Sequence, residues 1–76
     1  MNISTYKILL RAEPEGGYTV FVPALDGCIT YGEDLTEAKK NAKEAIALYL
    51  ESLIREGKSI PKDNDFLELN LEVTYG

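Results

Sequence analysis

The chain has 76 residues, with 13 acidic and 8 basic side chains, no histidine, no tryptophan and one cysteine, for a formal charge of −5 at pH 7. That length supports one domain with a small core, and 45% apolar with 28% charged residues fits a folded soluble protein rather than a disordered tail. The acidic balance argues against nucleic acid as a direct partner, since phosphate-backbone binding relies on clustered Lys and Arg; it steers instead toward a basic protein.

A lone cysteine closes no internal disulfide, which predicts a reduced, cytoplasmic setting. Residues Met1 to Lys7 lack the basic start and apolar run of a signal peptide. The longest uninterrupted apolar stretch, Ala45 to Leu50, falls far short of a membrane span.

In chain order, residues 3 to 12 read as a strand, with Tyr6, Ile8, Leu10 and Ala12 on one face. Pro14-Glu15-Gly16-Gly17 is turn chemistry, and Tyr18 to Val22 is a second, β-branched and aromatic strand; together they predict a hairpin. Pro23 ends that strand by removing a ladder donor. Ala24 to Gly27 reads as a short connection and Cys28 to Tyr31 as a third antiparallel strand, closed by Gly32.

Asp34-Leu35-Thr36-Glu37 has the form of a capping box, with Asp34 accepting from the Glu37 amide and Glu37 reaching back to the Asp34 amide. From there to Glu56, Leu35, Ala38, Ala42, Ala45, Ile46, Tyr49, Leu50 and Leu53 fall on one stripe of a 3.6-residue period, the alanines allowing close approach to a sheet. Lys40/Glu44 and Glu51/Arg55 stand at i,i+4 outside it, and Gly57 is placed to end the helix. After a loop over residues 58–65, Phe66 to Tyr75 alternates Leu67, Leu69, Leu71, Val73 and Tyr75 against Glu68, Asn70, Glu72 and Thr74, the pattern of a half-buried strand. The predicted architecture is α+β, in the order β-β-β-α-β, with an antiparallel-rich sheet and one helix packed on one of its faces.

Catalysis lacks parts. There is no histidine for acid–base work, and Cys28 has neither a histidine nor a local run of cations to activate it, so it reads as a small buried hydrophobe. One thiolate without imidazole makes no zinc site. Asp63-Asn64-Asp65 with Glu68 misses the spacing of a calcium loop, and Gly16-Gly17 precedes a strand rather than a phosphate-binding helix. The chain is expected to be no enzyme and to carry no cofactor or metal.

The run from Gly17 to Ala38, GYTVFVPALDGCITYGEDLTEA, resembles the HicB-like antitoxin family, whose usual form is roughly G-Y-x-V-x-x-P-(D/E)-L-P-G-C-x-T-x-G-(D/E)-(T/S)-x-E-E-A. Asn41 to Glu51, NAKEAIALYLE, continues the likeness into the helix. The resemblance implies a truncated ribonuclease H-like fold and a role in type II toxin–antitoxin systems, with a small basic HicA-like mRNA-cleaving toxin as partner. This chain departs at Ala24, where an acid is usual, and at Asp26, where proline is usual. Full-length relatives often add a C-terminal DNA-binding module; residues 1–76 are expected to form a single domain without one, so operator binding is not carried over.

The leading expectation is an antitoxin that covers its toxin's active site, with Asp26, Thr30, Tyr31 and Glu33 as the contact residues. The alternative is an orphan structural or regulatory homo-oligomer of the same family. A homodimer or larger assembly is expected in either case, from the small core, the off-stripe Leu48 and Ile54, and the open sheet edges.

Overall fold

A computed structural model of the chain describes residues 3–63 and 67–76. Three strands, β1 (Leu9–Ala12), β2 (Tyr18–Phe21) and β3 (Ile29–Gly32), precede one long helix, α1 (Leu35–Arg55). The sheet order is β1-β2-β3, antiparallel throughout, with Leu10 opposite Val20 and Val20 opposite Thr30. The hairpin turn is closed by Gly16 N–H donating to the Glu13 carbonyl and Glu13 N–H to the Gly17 carbonyl, both at 3.0 Å.

Because side chains alternate along a strand, this register sorts the sheet into two faces. Val20 is fully buried in a cluster with Ala38 and Ala42, so its row faces the helix, with Leu10 and Thr30 beside it and Ala12, Tyr18 and Gly32 in the next row. The opposite face carries Leu9, Phe21 and Ile29 in one row and Arg11, Thr19 and Tyr31 in another.

The alanine-rich stripe of α1 packs as its period predicts. Ala38 and Ala42 are buried, and Ala45, Ile46, Tyr49 and Leu50 lie against a second core cluster of Val22, Leu25 and Cys28. Leu35 departs from the stripe, being 52% exposed in the first helical turn. Leu48 and Ile54 are exposed, as their off-stripe positions require.

Both helix ends are closed by local chemistry. The Asp34 carboxylate accepts from the Glu37 amide at 2.8 Å. The returning Glu37 carboxylate accepts from the Glu33 amide, one residue earlier than a standard capping box would place it. At the other end Lys58 N–H donates to the Leu53 carbonyl and Gly57 N–H to that of Ile54, a Schellman motif that needs the left-handed φ of 71° at Gly57. Neither Lys40/Glu44 nor Glu51/Arg55 closes to an ion pair; the pairs formed among the described residues are Lys7–Asp63, Arg11–Glu13 and Lys58–Glu56.

The two ends of the expected sheet differ from the sequence pattern. Residues 3–8 make no ladder, because β2 ends at Phe21, the partner of Leu9; Tyr6 and Ile8 nevertheless pack on the core. The fourth strand is not formed. Phe66 lies outside the described residues, and 67–76 pair with nothing in the sheet, leaving Leu67, Leu69, Leu71, Val73 and Tyr75 between 71% and 93% exposed. Alternation marks a segment suited to a half-buried strand, but a strand also needs an edge to bond to, and this segment takes none within its own chain. The order among the described residues is therefore β-β-β-α. No helix among them is long and apolar enough to cross a membrane.

Candidate protein-binding site

The link from β2 to β3 is built as two consecutive β-turns rather than as a surface loop. Leu25 N–H donates to the Val22 carbonyl and Cys28 N–H to the Leu25 carbonyl, each at 3.0 Å, while Val22 N–H closes on the Cys28 carbonyl at 3.2 Å. The double turn drives Val22, Ala24, Leu25 and Cys28 inward and leaves Asp26 and Gly27 at an exposed tip. Leu25 is 1% exposed, one of the two largest fully buried side chains. Composition marked Ala24 and Leu25 only as a connection; their burial follows from turn geometry that hydrophobic periodicity does not report. Cys28 is buried and unpaired, and burial pushes its thiol pKa up, away from nucleophilic use.

The four residues expected to contact a partner are placed unequally. Tyr31 and Glu33 stand together at one end of β3, whereas Asp26 sits at the turn tip preceding that strand. Thr30 is half-buried in the row of Val20, so it faces the helix rather than the open face. A period of two always sends positions 30 and 31 to opposite sides, so this split was present in the sequence.

The open face of the sheet is the principal surface. Leu9 and Ile29 flank Phe21 there and are 49% and 57% exposed. The Arg11 guanidinium lies 5.1 Å from the Phe21 ring centroid. Arg11 Nε also donates to the Glu13 carboxylate at 3.0 Å, and Thr19 Oγ1 donates to the same oxygen. Beside them Tyr31 Oη donates to the Gly16 carbonyl at 2.9 Å, which holds the ring at its hydroxyl, and the Tyr31 backbone carbonyl accepts from Asn41 Nδ2 at 2.7 Å.

The electrostatics at this end are acidic. Desolvation raises the Tyr31 phenol pKa first, and the carboxylates of Glu33, Glu13, Glu15 and Glu37 add to it, so four acids surround one exposed tyrosine. Glu13, Glu15 and Glu37 escaped sequence reasoning because they come from the hairpin turn and the helix start, which only the fold brings beside β3. An apolar row lying beside an aromatic that four carboxylates act on suits a protein carrying basic and apolar groups. No group of three or more potential metal ligands clusters among the described residues, and Asn64 and Asp65 of the discounted calcium loop lie outside them.

Comparison with known proteins bears on what this surface serves. Residues 6–75 match the model of the HicB_like antitoxin of bacterial toxin-antitoxin systems. The chain belongs to the HicB-like antitoxin family. Among similar proteins, the UPF0150 protein ssr1765 of Synechocystis sp. is 47% identical over 63 residues, 83% of this chain and 80% of that one. The UPF0150 protein Ta0767 of Thermoplasma acidophilum is 46% identical over 59 residues, 78% and 86% of the two chains. A UPF0150 protein of Helicobacter pylori is 54% identical over 39 residues, 51% and 54% of the two chains. None of these names describes an enzyme. In this HicB-like chain the family's loop from Pro23 to Cys28 is largely core, so the residues free to meet a partner are those around its rim.

Glu13 offers a check on this surface. Hydrogen bonds from Thr19 and Arg11, with the Arg11 charge, hold its carboxyl below the usual carboxylate range. A depressed folded-state pKa adds stability that is complete above the unfolded-state value and is lost as pH falls through the folded one. Glu13→Gln is therefore expected to be less stable than the parent at pH 7, with the gap closing in acid. Urea denaturation of both proteins at neutral and acidic pH reads this directly, and a gap that stays constant with pH would refute the assignment.

Proposed function

We propose that this HicB-like chain is an antitoxin that neutralises a small, basic, HicA-like mRNA-cleaving toxin by covering the toxin's active site. The observation that carries this reading is the exposed Tyr31 in an acidic field, in the row of Arg11 and Thr19 that lies next to the apolar row Leu9, Phe21 and Ile29 on the open face. Family membership supplies the class of partner, and the charge of −5 supplies the complementarity. Tyr31 and Glu33 form the centre of the contact, Asp26 extends it at the turn tip, and Thr30 contributes from the helix side. Inhibition is steric, since the chain brings no activated nucleophile. The domain acts in the cytoplasm, where messenger RNA is the toxin's target, and binds no operator DNA itself. Self-association accompanies this role, favoured by the exposed residues 67–75.

The test is charge reversal. The double variant Asp26→Lys and Glu33→Lys should keep its fold, because neither side chain is buried. Its association with a purified HicA-like toxin should slow by about tenfold at low salt, with the difference shrinking as salt rises. Stopped-flow association and an RNA-cleavage protection assay measure both effects. Unchanged kinetics and unchanged protection would overturn the surface assignment.

A further inference from the structure

Tyr31 rests on a glycine. In the β2–β3 register it stands opposite Thr19, so Gly17, two residues before Thr19, lies on its cross-strand diagonal, a distance an aromatic side chain can span. A Cβ at Gly17 would overlap Oη and Cζ of Tyr31 and press on the Gly32 carbonyl. The end of the ring therefore occupies space that only glycine leaves free. A Cβ at the neighbouring Gly16 would meet nothing within 4 Å, so the fit to the ring belongs to position 17.

This seat decides what the hydroxyl can offer. Tyr31 Oη donates to the Gly16 carbonyl at 2.9 Å, and a phenol has one proton to give. Its remaining lone pairs can only accept, and the residue is 42% exposed. The setting is acidic: Glu15 adjoins Gly16 in the turn, the Glu13 backbone is bonded to both glycines, and Glu33 follows Tyr31 by two residues. Desolvation and these carboxylates raise the phenol pKa, which keeps the proton in place at neutral pH. Arg11, the cation of this face, is already engaged by Glu13 at 3.0 Å and by the Phe21 ring. An acceptor in a negative field favours a positively charged donor from outside.

We propose that Tyr31 Oη accepts a hydrogen bond from a lysine ammonium or arginine guanidinium of the toxin, and that Gly17 is the positioning residue that seats the hydroxyl for it. This rests on the reading of the open face as the toxin contact and adds the chemical group that meets Tyr31. A ring already held at its hydroxyl loses little rotamer freedom on binding, so more of the bond appears as affinity. The cation bound there also gains from the carboxylates of the turn, which a neutral donor would not.

The test uses the full chain and a purified HicA-like toxin. Tyr31→Phe keeps the ring on Gly17 and removes only the oxygen. Its affinity for the toxin should fall about tenfold or more, the size expected for a hydrogen bond to a charged group, with urea denaturation correcting for any change in folded fraction. Gly17→Ala should displace the ring and weaken binding to a similar degree. It should weaken binding much less in the Tyr31→Phe background, where no hydroxyl is left to misplace, whereas two merely structural losses would multiply. Replacing each Lys and Arg of the toxin by Met, against the parent and against Tyr31→Phe, should find one cation coupled to the hydroxyl by about tenfold. Parent affinity in Tyr31→Phe, or coupling to no toxin cation, would overturn the proposal while leaving toxin neutralisation standing. A parent chain that fails to bind or inhibit the toxin would overturn both. Gly17 has a φ of 80°, which any L side chain strains. Should Gly17→Ala fail to fold, NOEs between the Tyr31 ring and the Gly17 α protons of the parent decide the seat, and their absence refutes it.

Discussion

Leu25→Ala is expected to lower stability by about 3–5 kcal/mol, the upper part of the range for a buried leucine. Leu25 is 1% exposed and closes the cluster with Val22 and Cys28 under Ile46, Tyr49 and Leu50. The double turn that carries it is held by three backbone hydrogen bonds and has little freedom to collapse into the space left behind. A chain of this size has about 4–11 kcal/mol of total stability, so the variant should be close to unfolding at ambient temperature. Asp26→Ala, one residue along and exposed, is the control and should fall within about 0.5 kcal/mol of the parent. Urea titration of the pair checks both, and a Leu25→Ala loss below about 1 kcal/mol would mean that the turn is not part of the core.

Gly32→Ala is expected to be comparably damaging for a different reason. A Cβ at Gly32 would overlap the backbone nitrogen and Cα of Ala38, so the first turn of α1 rests directly on β3. A flexible side chain would yield to such a methyl, but helix backbone moves only with the rest of α1. Overpacking against so stiff a neighbour costs about 3 kcal/mol or more. The same shift would pull Asn41 from the Tyr31 carbonyl, so the variant should lose toxin protection beyond what its folded fraction explains. Denaturation and RNA-protection assays on one sample separate the two losses.

Much of this architecture was legible before any coordinates. The hairpin turn, the second and third strands and the helix appear within a residue or two of where alternation, turn glycines and the Asp34 cap place them, because each is specified by neighbours close in sequence. The first strand, by contrast, begins at Leu9 rather than at residue 3. What failed to be legible depends on distant partners. Residues 67–75 have the correct pattern for a strand, yet pattern cannot say which edge they join. Leu35 fits the helical stripe, but the sheet does not reach it. Leu25 looked like loop because a double turn running only from Val22 to Cys28 is too short to show a period. The surface was read in part: Tyr31 and Glu33 were found from the β3 segment, whereas the ring of Glu13, Glu15 and Glu37 is assembled only when the hairpin turn and the helix start meet.

The Asn41 contact to the Tyr31 carbonyl has a bearing on solubility as well as on shape. A domain with two bare strand margins and a long apolar tail would be able to accept one neighbour at each margin, and copies so joined would polymerise without end. Here the helix blunts one margin with a side-chain amide. The Tyr31 carbonyl is thereby withdrawn from edge-to-edge pairing with another molecule. Losing that amide would return the β3 margin to the pool of bare strand edges on which aggregation depends.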